Sequence, residues 1–151
     1  MEWLELRVPP PVVMAASVFL MWAAGKAVPA LDFHALVWPA IALFAGGLAI
    51  GLAAFLQFRS AKTTLNPMTP QQSTALVTNG LYRLSRNPIY VADVLLLLAC
   101  ALLVANALAF LALPLFVAYV DRFQIRPEER ALRARFGGAF DAYCRRVRRW
   151  L

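Results

Sequence analysis

The chain has 151 residues, of which 62% are hydrophobic and 15% charged, with a formal net charge of +7. Soluble domains of this size are typically about 45–50% apolar and about 25% charged, so an ordinary water-soluble fold is excluded. The length fits a single domain over 1–151. Cys100 and Cys144 have no Cys/His spacing partner, so neither a disulfide nor a bound metal is expected. The start is acidic (Glu2, Glu5), and the first apolar block lacks a small-residue cleavage site. The N-terminus therefore reads as part of the mature protein, not as a signal peptide.

A transmembrane helix needs roughly 20 mostly apolar residues, because each adds about 1.5 Å against a hydrocarbon layer of about 30 Å. After Pro9-Pro10-Pro11, the first such block covers about 12–28 and the second about 35–58. In the second, Gly47 and Gly51 form a small-xxx-small pair that either permits close helix contact or is merely tolerated. The apolar run from Tyr90 to Phe123 is too long for one crossing and too short for two with a real loop. With Asn106 near its middle, it predicts a tight hairpin over 89–105 and 107–123, the return helix kinked at Pro114. The expected fold is thus an all-α polytopic membrane bundle with four crossings.

Basic residues orient such a bundle. With the N-terminus, the 59–88 loop and the 124–151 tail on one side, every basic residue except Lys26 lies on that side or at its edge. Both termini are therefore expected in the cytoplasm, the protein being integral to a bacterial inner membrane. The charge is then a topology signal with some attraction to anionic membrane lipid. Nucleic acid is excluded as a partner, since no basic stripe interleaves with exposed aromatics.

Chemistry is expected in the two long polar segments. In the first, Asn79-Gly80 signals a turn, and Tyr82, Arg86 and Tyr90 follow at intervals of four. They would share a helical face or belong to an interfacial belt, with Pro88 limiting helical regularity. The second, Arg126-Pro127-Glu128-Glu129-Arg130, is favourable chemistry for a helix N-terminus, which needs no function to explain it. Leu132, Phe136, Phe140, Tyr143, Val147 and Leu151 follow at spacings of three and four. They predict an amphipathic helix on the leaflet or under the bundle, bent at Gly137-Gly138. Asp93 is the one acid inside an apolar block; it reads either as a functional carboxylate or as favourable first-turn chemistry after Pro88. His34 reads as interfacial.

Leu76-Val77-Thr78-x-Gly80-x-Tyr82-x-x-x-Arg86-Asn87-Pro88-x-Tyr90, an apolar hairpin, and then Glu128-Glu129-x-x-Leu132-x-x-x-Phe136-Gly137-x-x-Phe140-x-x-Tyr143 occur in that order. Together they resemble the isoprenylcysteine carboxyl methyltransferase family and the related phospholipid N-methyltransferases. The resemblance covers roughly 59–151; the first two crossings carry no motif. It implies S-adenosylmethionine as cofactor, with contacts from Thr74, Ala75, Leu76, Val77, Tyr82, Asn87, Pro88, Ile89, Tyr90 and Glu129. Glu129 would bind the cofactor's ammonium, and Arg126 would orient the acceptor. One departure stands out: the family usually has Arg-His-Pro where this chain has Arg86-Asn87-Pro88. Asn still donates a hydrogen bond but is never cationic.

The expectation is therefore methyl transfer to a lipophilic acceptor, an isoprenylcysteine-like or other lipid-linked carboxylate. The chain has no Gly-rich strand-to-helix fingerprint, so a nucleotide-like cofactor would need a different kind of pocket. Methyl transfer from a sulfonium to a carboxylate annihilates charge, which a water-poor pocket favours. Three alternatives remain open: methylation of a phospholipid amine or a small thiol, reduction by NADPH, and a non-enzymatic bundle with a lipid- or partner-binding basic tail.

Overall fold

The structure, a computed structural model, describes residues 5–31, 34–60 and 74–151. Most of the polar loop, residues 61–73, lies outside the described residues. Six helices follow in order: α1 (Pro10–Ala27), α2 (Val37–Ser60), α3 (Pro88–Val104), α4 (Ala112–Val120), α5 (Arg126–Phe136) and α6 (Gly138–Arg146). Short 3-10 turns at Pro29–Leu31, Gly80–Arg83 and Ala107–Leu111 connect them, and no strand forms among the described residues. The all-α bundle expected from the apolar blocks is what is observed. Pro10–Ala27, Val37–Ser60 and the continuous helical run Ala107–Phe136 are long and apolar enough to cross a membrane, and Pro88–Val104 is a shorter apolar helix.

Prolines start α1 and α3, where a missing N–H costs nothing because first-turn donors have no intrahelical partner. The hairpin between α3 and α4 turns at Ala105, which takes a left-handed conformation (φ 57°). Asn106 fixes the turn. Its Oδ1 accepts from the Leu108 N–H at 2.9 Å and its Nδ2 donates to the Val28 carbonyl at 2.9 Å. A fully buried amide is thereby satisfied, and the hairpin is tied to the end of α1.

The glycine pair of α2 serves helix contact. A Cβ at Gly47 would lie 3.0 Å from the Leu96 side chain and 3.1 Å from the Ala92 carbonyl; one at Gly51 would sit 3.5 Å from Ala92 Cβ. The α2–α3 seam therefore closes almost to backbone distance. Gly47→Val should destabilise the bundle by about 1–3 kcal/mol through overpacking, while Gly46→Val, which meets nothing within 4 Å, should be nearly silent. Thermal unfolding of the two variants in detergent, each against wild type, checks this; equal shifts would contradict the seam.

The amphipathic C-terminal helix forms and is interrupted at Gly137, where a bend was expected, but its start differs. The return helix does not stop at Phe123. It continues through a wider π-type turn at Asp121–Ile125 directly into α5. Gly137 (φ 51°) then breaks the helix, so the chain folds back as α6 and leaves it at Val147 in an extended conformation. Phe140, Tyr143 and Val147 are buried under the bundle beside Val77, Tyr82 and Ala54. Leu151, at the end of the same periodic pattern, is exposed.

Candidate active site

The two polar segments meet beneath α3 and enclose a cavity of ≈ 330 Å³. Its walls are the start of α1 (Pro10, Pro11, Met14), the end of α2 (Phe58), the segment Ala75–Val77, Tyr82 and the start of α3. The floor comes from Glu128, Glu129 and Leu132 of α5 with Phe140 and Tyr143 of α6. Gly80 turns the chain here with φ +55°, a left-handed conformation that strains any residue with a Cβ, and a Cβ would also displace the Gln57 amide. Gln57 Oε1 in turn accepts from the Leu81 N–H at 3.1 Å. The Tyr82 ring packs edge-on against Phe58 at 5.2 Å, and the Tyr143 hydroxyl donates to the Tyr82 carbonyl at 2.7 Å.

One ion-pair network joins the segments. Arg86 donates through Nε at 3.2 Å and Nη2 at 2.7 Å to Glu129 Oε1, and through Nη1 to the Val147 carbonyl at 2.7 Å. Arg149 holds the same carboxylate from the other side, Nη2 to Oε2 at 2.7 Å and Nε to Oε1 at 3.1 Å. Its Nη1 reaches Asp121 at 3.0 Å. The extended tail is sewn along the Arg86–Asn87 turn. The Arg86 N–H bonds the Arg148 carbonyl at 3.0 Å, and Asn87 Nδ2 bonds the Arg149 carbonyl at 2.9 Å. Asn87 thus uses a capacity it shares with histidine, donation.

The neighbouring glutamates differ in their partners. Glu129 is held by Arg86 and Arg149, whereas Glu128 faces the cavity with no hydrogen bond or ion pair to any described residue. Burial first, and then the Glu128 charge, push the Tyr82 hydroxyl up.

Of the residues singled out from sequence, Ala75, Leu76, Val77, Tyr82, Asn87, Ile89, Tyr90 and Glu129 come together on the cavity wall. Thr74 is exposed and Pro88 buried, and neither is part of the lining. Arg126 stands apart: it is exposed and bonds Asp121 at 2.8 Å, away from the cavity. Asp93 lies in the second turn of α3, not the first, and lines the cavity. Arg149 was not singled out from the sequence. Nothing local separates it from Arg145, Arg146 and Arg148, and only the fold-back at Gly137 brings it to Glu129. Glu128, which capping chemistry explained without a function, also faces inward.

The chain matches the phospholipid methyltransferase family over residues 35–139, which takes in α2, the first motif, the hairpin and both glutamates. The chain belongs to that family. It is accordingly an integral membrane methyltransferase, and enzymes of the family generally use S-adenosylmethionine. An uncharacterised Haemophilus influenzae protein is 40% identical over 62 residues, 41% of this chain and 98% of that protein. No solved structure matches the chain.

The lining suits such a cofactor. S-adenosylmethionine carries an ammonium, a sulfonium and one carboxylate, a net positive charge, on a body with apolar faces. Both arginines of the network are already neutralised by Glu129 and Asp121, whereas Glu128 and Asp93 have no cation among the described residues. The remaining wall is aliphatic and aromatic. A cavity of this size lies within the usual range for a small-molecule site, about 300–1,000 Å³.

Proposed function

We propose that the protein transfers a methyl group from S-adenosylmethionine to the amine headgroup of a membrane lipid or other lipophilic amine. The observation that carries this reading is the charge of the cavity among the described residues: two carboxylates without partners and no cation that is not already paired. Sulfonium chemistry at the site supplies an electrophilic methyl; the protein's own residues bind, orient and exclude water. The carboxylate acceptor implied by resemblance to the isoprenylcysteine enzymes needs a cation beside it, and Arg126 is committed elsewhere. A cationic or neutral acceptor is the better complement.

In this reading Glu128, not Glu129, takes the cofactor's ammonium. Glu129 already accepts four bonds from two guanidiniums, so its role is to hold Arg86 and the tail in place. Leu76, Val77 and Ile89 pack on the apolar parts, and Tyr82, Asn87 and Tyr90 present polar groups. The motif face lies on the side that carries nearly all the basic residues, which supports a cytoplasmic mouth for a cytosolic cofactor.

Calorimetry with S-adenosylhomocysteine tests this. Glu128→Gln should weaken binding by about 1.5–3 kcal/mol, the scale of a charged hydrogen bond. Equal affinity of variant and wild type, or preference for NADPH, would contradict the assignment.

A further inference from the structure

Resting on the amine reading above, we propose that Asp93 is the base that takes the proton from the acceptor's ammonium. An ammonium has no lone pair, so an amine must be deprotonated before its nitrogen can bond to carbon. Asp93 lines the cavity, is half-buried, and makes no hydrogen bond or ion pair with any described residue. A carboxylate inside a membrane-spanning helix without a structural partner is a functional candidate by default. Its place along α3 separates it from the cofactor motif. Five residues beyond Pro88, at about 1.5 Å each, set it about 7–8 Å further toward the hydrocarbon than the start of the helix. That is the side on which a lipid acceptor's chain lies.

The ionisable groups facing the same cavity are Tyr82, Arg86, Tyr90, Glu128, Glu129 and Tyr143; α1 and α2 contribute only apolar lining. Arg86 and Glu129 neutralise each other, and the tyrosines are weak acids. Glu128 is engaged by the cofactor's ammonium, leaving Asp93 for the acceptor. The step balances. An N–H bond of the ammonium breaks, its proton goes to an Asp93 oxygen, and the electron pair stays on nitrogen. That pair forms the new N–C bond while the C–S bond breaks and its electrons go to sulfur, leaving a methylated ammonium and neutral S-adenosylhomocysteine. Proton transfer within an ammonium–carboxylate pair turns two charges into none, which a water-poor site favours.

The test compares wild type with Asp93→Asn, as full-length protein in vesicles of an ethanolamine-headed lipid. A positioned base is typically worth about 10²–10⁴-fold, so methyl transfer at pH 7 should fall roughly 100-fold or more. A primary amine has a reference pKa of about 10.4. Bulk deprotonation should therefore restore the Asp93→Asn rate about tenfold per pH unit between 7 and 9, while wild type stays nearly level. A readout independent of turnover accompanies this: S-adenosylhomocysteine affinity should be unchanged within about twofold, and binding of a fluorescent ethanolamine-headed lipid should weaken. If Asp93→Asn does not fold, Asp93→Glu replaces it and should keep the level profile at a reduced rate. Parallel pH profiles, or an equal loss of S-adenosylhomocysteine binding, would overturn the role of Asp93 alone. Absence of amine methylation by wild type would overturn the amine acceptor, and this role with it.

Discussion

Arg86→Ala should destabilise the protein by about 3–5 kcal/mol, the usual consequence of removing one partner from a buried ion pair. Both Arg86 and Glu129 side chains are only 12% exposed, so neither charge can turn to water when the other is lost. Two further bonds disappear with the guanidinium, those to the Cys144 and Val147 carbonyls at the end of α6. Arg149 compensates Glu129 in part, which keeps the expected loss within that range. Arg86→Lys should recover little, because one ammonium cannot serve a carboxylate and two carbonyls in the same fork geometry. Arg126→Ala is the contrast. Its pair with Asp121 is exposed, the arginine side chain at 54%, and exposed pairs are typically worth about 0–1 kcal/mol. Thermal unfolding in detergent measures all three; Arg86→Ala and Arg126→Ala with equal stability would refute the network.

That contrast also shows what was legible in the sequence. Hydrophobic block lengths were sufficient for the bundle, and Asn106 at the centre of an apolar run marked the hairpin. The two motifs did converge, because a hairpin of two crossings returns the chain to the side it left. What could not be read was how charges partner across the fold. Nine arginines follow Phe116 with little to distinguish them, and which of them faces a carboxylate depends on the π-type turn at Asp121–Ile125 and the reversal at Gly137. A π-type turn advances a helix by more residues than an α-turn and rotates everything after it, so faces counted with a 3.6-residue period across it go out of register. Arg126 and the glutamates both follow that turn, and two residues of α-helix set Arg126 about 200° from Glu128, on the outward face, while the reversal at Gly137 brings Arg149, twenty residues away, to Glu129. The apolar pattern Leu132–Tyr143 lies wholly after the π-type turn, so its 3.6-residue count keeps its register.

The remaining large effect concerns the acceptor. The cavity combines polar lining from Arg86, Glu128 and Glu129 with apolar lining from Met14, Phe58 and Leu132. An acceptor whose headgroup enters here keeps its chain against apolar surface or in lipid. Each CH₂ removed from water contributes roughly 0.8 kcal/mol, nearly fourfold in affinity, so six added methylenes should raise transfer efficiency by about three orders of magnitude. Because the chain is bound alike in ground and transition states, the gain should fall in KM with kcat little changed.

The most direct measurement supplies methyl-labelled S-adenosylmethionine to the purified protein in vesicles containing an ethanolamine-headed lipid, with butylamine and a long-chain lipid carboxylate as parallel acceptors. Label should accumulate in the ethanolamine-headed lipid, far less in butylamine and least in the carboxylate, and Glu128→Gln should reduce it. Label in the carboxylate alone would contradict the amine acceptor; no transfer to any of the three would contradict a lipid methyltransferase.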